Sequence, residues 1–425
     1  MIHQGGDRAQ HARRLIVLFL LSFAFKVAGV GYLTATHGSE LDPPDTRNLY
    51  APLAHGLLAG EGYHLAGDYR DATRVPPVFP LYLAAVHGLL GSDVPALGIG
   101  ILNSVFRGWT TLLVYLLGRR LFGEETGLAA GLLHACDPWE AFWAAFPLKE
   151  SLAVFLFVLT VWWLLRTLDH PSWARGFLAG AGLGVASLAR YATLGFYPFA
   201  VMLLAGRVHR SGLTLGAATR LAAIFTLGTL ASLCPWLARN QRLFGEPVIS
   251  THLAGRYFYV ANGPGVVQAP DTSGYSGRAL PDAAFIREME RSAEGPAARE
   301  WAFFRQTIRH LAIDPAAVAA LLRTKLVNQW RPTFEGASLA NQVVLGGSYA
   351  AFMMLSIAGL ALSWKRRSGL ALPLAVVAFY LLTHLLFFAE IRYRQYLTPF
   401  LALFAGQTLA AGWKRIAVAP RPTHG

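Results

Sequence analysis

The chain has 425 residues, of which 54% are hydrophobic and only 14% are charged. A soluble protein of this size needs more polar side chains to cover its surface, so the composition excludes a soluble enzyme and predicts a polytopic membrane protein. The net charge of +13 would suggest nucleic acid binding in a soluble chain. Here the arginines cluster beside apolar segments, so we expect contact with lipid headgroups and no nucleic acid partner.

Apolar runs recur along the whole chain, and a helix of about 20 such residues crosses a bilayer. They predict a single all-α membrane domain over residues 1–425 with about ten transmembrane helices. The predicted spans are 15–35, 100–118, 122–137, 150–166, 174–192, 195–208, 217–236, 345–364, 369–389 and 396–413. The apolar segment 76–91 competes as a further span. Counting it would place the basic clusters on alternating sides, so we assign it to the outer interface.

Basic residues predict the orientation of the chain in the membrane. If the N-terminus is cytoplasmic, every inward connection carries arginine or lysine, beginning with Arg13 and Arg14. This parity predicts cytoplasmic termini and an active site that faces outward. It leaves two long outer loops, 36–99 and 237–344. We expect two amphipathic stretches of the second loop, 300–311 and 315–330, to lie on the membrane surface.

Cysteine spacing gives no metal site. Cys136 and Cys234 are far apart, each within an apolar run, and we expect both to be buried packing residues. No cofactor is indicated, although acidic residues of the first loop could hold a divalent cation.

Charged residues gather at the outer ends of the predicted helices, where the bilayer does not explain them. In the sequence FFAEIRYRQYLTPF, Arg392 and Arg394 flank Tyr393 in a short outer connection that the positive-inside tendency would leave poor in arginine. Guanidinium groups match phosphate oxygens with paired donors, so the pattern predicts a phosphate-bearing ligand. An ion pair with Glu390 or a contact with lipid phosphate is the alternative.

Acidic residues of the first outer loop are candidates for a general base. Asp45 could accept the proton of an attacking hydroxyl, and Asp42 or Glu40 could take the same role. A helix N-cap for residues 46–58 is the alternative role of Asp45. Further charged candidates for substrate binding near the outer surface are Arg74, Lys149, Glu150, Arg190 and Arg239. For Arg74 the alternative is a plain surface charge. For Arg190 the alternative is an ion pair with Glu150.

Seven segments together resemble one family. They are DTRNLYAPLAHGLLAGEGY from Asp45, RVPPVFPLYLAAVHGLLG, LLVYLLGRRLFGEETGLAAGLL, PLKESLAVFLFVL, SLARYATLGFYPF, PWLARNQRLFGEPVISTHLAGRYFYVANGPG and RYRQYLTPFLALFAG. With them the chain resembles the GT-C superfamily of membrane glycosyltransferases, within the group of dolichyl-phosphate-mannose protein mannosyltransferases and lipid A aminoarabinose transferases. Tyr50, Asn240 and Tyr393 lie in these segments and join the substrate-binding candidates.

The resemblance implies a bacterial inner membrane protein with a polyprenyl-phosphate-linked sugar as donor, inversion at the anomeric carbon, Asp45 as base, and Arg74, Arg392 and Arg394 as ligands of the lipid phosphate. One departure is that the family's acid stands closer to its tyrosine than Asp45 does to Tyr50, which leaves Asp42 a candidate. The sugar, hexosyl or pentosyl, and the acceptor, a lipid, glycan or protein, are left open.

A function of another class is the alternative. A transporter or flippase of a lipid-linked anion would also need many helices and outward arginines.

Overall fold

A computed structural model gives the fold for residues 2–41, 43–91, 94–206, 214–250, 254–264, 283–292, 295–334, 337–364 and 369–418. Every regular element in these ranges is helical, and no β-strand occurs among them. The all-α membrane fold predicted from the sequence is confirmed.

The described helices are numbered here in chain order. They are α1 (Ile2–His37), α2 (Ala51–Leu58), α3 (Tyr69–Ala72), α4 (Val78–Leu90), α5 (Ala96–Phe122), α6 (Glu124–Ala135), α7 (Pro138–Ala144), α8 (Glu150–Asp169), α9 (Trp173–Ala189), α10 (Tyr197–Ala205), α11 (Leu215–Phe244), α12 (Ala254–Asn262), α13 (Ala283–Arg291), α14 (Pro296–Ile313), α15 (Pro315–Trp330), α16 (Leu339–Ser363), α17 (Ala371–Leu386) and α18 (Thr398–Val418).

Five of the described helices are long and apolar enough to cross a membrane: Ala9–His37 within α1, α5, α8, α11 and α16. Others are shorter, and α6 has only 12 residues, a length of about 18 Å against about 30 Å of hydrocarbon. A multi-pass membrane protein is confirmed, whereas helix length does not establish ten crossings.

The first outer segment, predicted at 36–99, has its own small core. Helix α4 has 13 residues, about 20 Å, which is too short to cross the bilayer unaided. Its side chains Phe79 and Leu83 pack with Tyr50, Leu53 and Trp236. This packing holds α4 against α2 and the C-terminal end of α11, within the segment 36–99.

The second outer segment begins later than predicted, because α11 continues through Pro235 to Phe244. Helices α14 and α15 cover the two predicted amphipathic stretches. Asp314 Oδ1 accepts a hydrogen bond from Ala317 N, and Pro315 occupies the first turn, so α15 begins as the sequence predicts.

Helices α9 and α11 pack closely through glycine. A Cβ atom on Gly180 would lie 1.9 Å from Phe225 O, and one on Gly228 would lie 2.2 Å from Phe177 O. Small residues of this kind let membrane helices approach backbone to backbone.

The prediction that both cysteines are buried is wrong, because Cys136 and Cys234 are exposed. Cys136 caps the end of α6, and Cys234 lies on an outward face of α11. An apolar run alone does not show which face of a helix is covered by protein and which faces lipid.

Candidate active site

A π-helical turn, Thr46–Tyr50, leads from Asp45 into α2. A π turn holds about one residue more than an α turn and often occurs at functional sites. Thr46 Oγ1 donates a hydrogen bond of 2.7 Å to Pro147 O. The ring of Tyr50 is buried, and its centroid lies 5.8 Å from Lys149 Nζ. The turn is therefore fastened against the segment that leads into α8.

The side chain of Asp45 is not a helix cap. The residue has helical backbone angles, φ −59° and ψ −41°, and its carboxylate makes no capping hydrogen bond. A capping aspartate normally has an extended backbone and accepts from the second or third helical N–H. Oδ2 of Asp45 instead faces Arg392 Nη1 at 3.4 Å.

Arg392 stands at the centre of three carboxylates. It lies in the 3-10 turn Ile391–Tyr396 between α17 and α18. Besides its contact with Asp45, its Nε is 3.7 Å from Glu150 Oε1 and its Nη2 is 3.5 Å from Glu390 Oε2. We call Asp45, Glu150, Glu390 and Arg392 the carboxylate–arginine cluster. It joins the first outer segment, the start of α8 and the turn before α18.

Two further cations border the carboxylate–arginine cluster. Burial lowers the pKa of Lys149 to about 8, although the charges of Glu150 and Asp45 act to raise it. The guanidinium carbon of Arg190, at the end of α9, lies 4.1 Å from the ring centroid of Tyr393. Such contacts hold a desolvated arginine over an aromatic face. A ligand at this place therefore meets lysine and arginine as well as carboxylates.

The members of the cluster differ in access. The side chains of Arg392 and Asp45 are 15% and 13% exposed, whereas that of Glu150 is 3% exposed. Oε2 of Glu150 is buried and makes no hydrogen bond to the described residues. Of these two acids, Asp45 is the one that a substrate can reach.

Arg74 lies at the edge of this region. Its Nε is 3.2 Å from Asp71 Oδ1, and about a third of its side chain is exposed. Tyr257 of α12 lies near both Arg74 and Asp45; burial raises the pKa of its hydroxyl, and the nearby arginines act against this rise. The second outer segment thus borders the cluster through Tyr257.

Arg394 lies apart from the cluster, although only one residue separates it from Arg392. Its Nη1 donates a hydrogen bond of 2.6 Å to Arg331 O. Its guanidinium carbon is 3.7 Å from the ring centroid of Tyr349 and 4.3 Å from that of Trp139. Arg394 therefore contacts a backbone carbonyl and two aromatic rings of the protein. Its guanidinium does not lie at the same place as that of Arg392.

Arg239 and Asn240 join the first outer segment to α11. Arg239 Nη2 donates to Tyr63 O at 2.7 Å, and its Nη1 donates to Asn240 Oδ1 at 2.8 Å. Asn240 Nδ2 donates to Val248 O at 2.7 Å. These contacts are structural links within the protein.

Two of the acids considered from the sequence lie outside the described part of the chain: Asp42, and the side chain of Glu40. Among the described residues, no group of three or more His, Cys, Asp and Glu could hold a metal ion. The three carboxylates named above face a guanidinium group instead.

Sequence reasoning overlooked three residues near the site. Tyr257 stands in the motif GRYFYV, where its proximity to Asp45 has no signal in the sequence. Gln395 follows the two conspicuous arginines, and Arg107 lies inside a predicted span. An arginine within an apolar span is itself a signal, because the bilayer disfavours it.

Part of the chain is similar in sequence to a known protein family. The family model of dolichyl-phosphate-mannose-protein mannosyltransferases matches residues 74–236, which include Arg74, Lys149, Glu150 and Arg190. No curated protein sequence matches the chain.

Several solved structures share the fold. The archaeal oligosaccharyltransferase AglB from Archaeoglobus fulgidus, in complex with an inhibitory peptide and a dolichol-phosphate, is similar with a TM-score of 0.59 and 13% identity, over 98% of this chain and 53% of that one. Its apo form gives a TM-score of 0.55 and 13% identity, over 96% and 51%. ArnT from Cupriavidus metallidurans bound to undecaprenyl phosphate gives 0.45 and 16%, over 96% and 81%.

The chain spans about half the length of the AglB chain. The likeness to AglB, at 13% identity, concerns the fold, and the family match concerns the sequence between the first outer segment and α11. The two observations agree with the resemblance noted in the sequence: the chain is similar in part of its sequence to the dolichyl-phosphate-mannose-protein mannosyltransferases and in its fold to AglB.

Proposed function

We propose that this protein transfers a sugar from a polyprenyl-phosphate donor to an acceptor hydroxyl at the outer face of a bacterial inner membrane, with inversion at the anomeric carbon. The observation that carries the proposal is the contact of Asp45 with Arg392 at 3.4 Å, in a partly exposed pair bordered by Lys149 and Arg190. A general base and a phosphate-binding cation thus stand side by side.

Each group has a role in one displacement step. Asp45 takes the proton of the acceptor hydroxyl while that oxygen attacks the anomeric carbon. The bond between the anomeric carbon and the phosphate oxygen breaks, and its electron pair leaves with the polyprenyl phosphate. Arg392 and Lys149 stabilise the charge that develops on this phosphate, by about 3 kcal/mol for a well-placed donor. A single displacement inverts the anomeric configuration.

Glu150 and Glu390 support this step by holding Arg392. Their carboxylates lie 3.7 and 3.5 Å from its Nε and Nη2. Glu150 and Glu390 thus occupy two sides of the guanidinium. The donor phosphate can approach Arg392 on its third side, which faces Asp45. Arg190, over Tyr393, adds positive charge behind the arginine.

The donor class and the orientation rest on separate arguments. AglB was solved with a dolichol-phosphate, and a polyprenyl phosphate carries the same chemistry of an isoprenoid tail and a phosphate. Both long outer segments contribute to the site region, and the basic residues of the short connections favour cytoplasmic termini. The proposal covers a lipid, glycan or protein acceptor, with membrane lipids surrounding the donor tail.

A reconstituted assay tests the function. Purified protein in proteoliposomes is given a panel of polyprenyl-phosphate sugars of hexose and pentose type, and the release of polyprenyl phosphate is measured beside the movement of intact donor between leaflets. We expect release that depends on Asp45. Movement of intact donor without release would support the transporter alternative and contradict the proposal.

A further inference from the structure

Arg107 is a charged residue inside the membrane-spanning helix α5, with only 2% of its surface exposed. A buried charge in such a helix is disfavoured, and it usually marks a function when it is found. The guanidinium bonds to three partners on three different elements. It forms an ion pair with Glu140 of α7, its Nε donates to Ser151 Oγ at 3.0 Å, and its Nη2 donates to Gln395 Oε1 at 2.5 Å.

Two of these partners adjoin the carboxylate–arginine cluster. Ser151 follows Glu150 in the first turn of α8. Gln395 lies in the same 3-10 turn as Arg392, and its Nε2 donates a hydrogen bond of 2.8 Å to Arg392 O. One guanidinium group therefore connects the backbone that carries Glu150 with the backbone that carries Arg392.

The third partner fixes Arg107 itself. Glu140 is 1% exposed, and its Oε2 also lies 3.8 Å from His134 Nε2. Lys26 Nζ donates to the carbonyl oxygens of His134 and Ala135 at 3.0 and 2.9 Å, which closes the end of α6. The ion pair is thus built into a polar network that spans α1, α6 and α7.

Stability alone gives a weak reason for this network. A buried ion pair often contributes no more than well-packed apolar residues of the same volume, because both charges lose their hydration. Three directed bonds from a rigid fork do fix geometry, which a lysine or an apolar side chain cannot do. The contacts with Ser151 and Gln395 fix the two backbone segments that meet at the site.

We infer that Arg107 is a positioning residue for sugar transfer, which sets the place of Arg392 through Gln395 and that of Glu150 through Ser151. The inference rests on the proposed function. A reacting group displaced by about 1 Å can lose about a hundredfold in rate. Arg107 acts through Arg392, and it does not touch substrate in this arrangement.

A double-mutant cycle tests the inference. Arg107→Lys keeps the charge but cannot bond to all three partners, and we expect it to lower the rate of transfer about a hundredfold. In the background of Arg392→Gln, the same change should cost less than about threefold, since the group that it positions is gone. A merely structural role would lower activity by the same factor in both backgrounds, and that result would overturn the inference.

A second variant tests the inference if Arg107→Lys does not fold. Gln395→Leu removes only the link to the 3-10 turn, while Gln407→Leu is the matched control, because Gln407 lies in α18 away from Arg392 and accepts one bond from Thr126 at 3.4 Å. We expect Gln395→Leu to lower transfer at least about tenfold at a temperature where both variants are fully folded, and the control to retain transfer. Equal transfer by both variants would overturn the inference.

A binding readout separates this inference from the proposed function. Binding of undecaprenyl phosphate to the protein in nanodiscs is measured for the same variants. If wild-type protein releases no polyprenyl phosphate, the proposed function fails. In that case the positioning of Arg392 by Arg107 still stands if Gln395→Leu weakens binding about tenfold only when Arg392 is present, and it falls if binding does not change.

Discussion

Arg392 Nη1 lies 3.4 Å from Asp45 Oδ2, across 347 positions of the chain. The distance is longer than the usual range of about 2.7–3.2 Å for a hydrogen bond of this type. The contact is therefore a long one between two opposite charges. Since both side chains are partly exposed, a hydroxyl and a phosphate oxygen can each take one of the two groups as its partner.

Asp45→Asn should leave a folded protein whose rate of sugar transfer is reduced by about a hundredfold, the scale expected for loss of a general base. The amide keeps the shape of the side chain but cannot take a proton. Release of polyprenyl phosphate from a saturating donor is the measurement, with donor binding as the check that the site is intact.

Asp68→Asn is the matched control for this change. Asp68 lies in the same outer segment and does cap a helix, since its carboxylate accepts from Arg70 N and Asp71 N. Asparagine caps equally well, so this variant should retain transfer. If Asp45→Asn is as active as this control, the base lies elsewhere, and Asp42→Asn, Glu40→Gln and Glu150→Gln become the variants to compare.

Arg392→Gln and Arg394→Gln should fail in different ways. Loss of Arg392 should lower transfer about a hundredfold even at a temperature where the variant is fully folded. Loss of Arg394, which is 3% exposed and bonded to Arg331 O, should destabilise the protein by about 2 kcal/mol. Donor saturation curves and thermal midpoints in nanodiscs distinguish the two. Weaker donor use by both variants at equal stability would mean that both bind the lipid phosphate, as the sequence alone suggests.

Deletion of Asn48 should abolish transfer, whereas Asn48→Ala should not affect it. Asn48 is exposed within the π turn, so its side chain is dispensable. Removing one residue allows an ordinary α-helical turn, which rotates the preceding residue by about 100° around the axis while Tyr50 stays buried. Asp45 would then leave Arg392. Full transfer by the deletion variant would show that the π turn has no part in placing the acid.

Donor binding should weaken as the pH rises through about 8. The pKa of Lys149 is lowered to about 8 by burial, so below this pH its ammonium can attract the phosphate, and above it the charge is lost. The phosphodiester of the donor keeps one negative charge throughout. Lys149→Arg, which stays charged, should retain binding above pH 8, and an identical pH profile for the two proteins would contradict the role given to Lys149.

The lowered pKa of Lys149 also affects the stability of the fold, which changes with pH in the opposite direction to donor binding. Between about pH 8 and the ordinary value of 10.5, the unfolded chain binds the proton and the folded chain does not. Stability attributable to Lys149 therefore rises with pH across this window. A loss of donor binding above pH 8 that came with unfolding would not reflect Lys149.

Labelling of single cysteines tests the orientation. Cys136 and Cys234 are exposed and are first replaced by serine. Ser338→Cys, in the second outer segment, should react with an impermeant thiol reagent in intact spheroplasts, whereas His170→Cys, in the connection between α8 and α9, should not. Both positions are exposed to reagent. Labelling of His170→Cys alone would reverse the orientation.

Much of the fold could be predicted from the sequence because apolar length and capping are local signals. The start of α15 at Pro315 and the amphipathic stretch of α14 are examples. Burial of the cysteines could not be predicted, since an apolar residue is equally at home against lipid and against another helix. The length of α6 was also overestimated, because the apolar run includes the turn at Cys136.

The candidate site could likewise be predicted only in part. Charge against the membrane pattern pointed to Asp45, Lys149, Glu150, Arg190 and Arg392, which the structure brings together. Chemical type could not separate Arg392 from Arg394, because the direction of each side chain depends on the turn in which it lies. The same limit applied to Asp45, whose role as a helix cap was excluded only by its backbone angles and by the contact that its carboxylate makes.

The separation of Asp45 and Arg392 along the chain matters for biosynthesis. During translation, Asp45 and Glu150 are inserted long before Arg392 leaves the ribosome, and their carboxylates then lack the guanidinium that lies between them in the finished protein. The late arrival of this one residue leaves the carboxylate–arginine cluster incomplete until the last helices enter the bilayer. A chain interrupted before Arg392 would also keep these acids without the cation that compensates them.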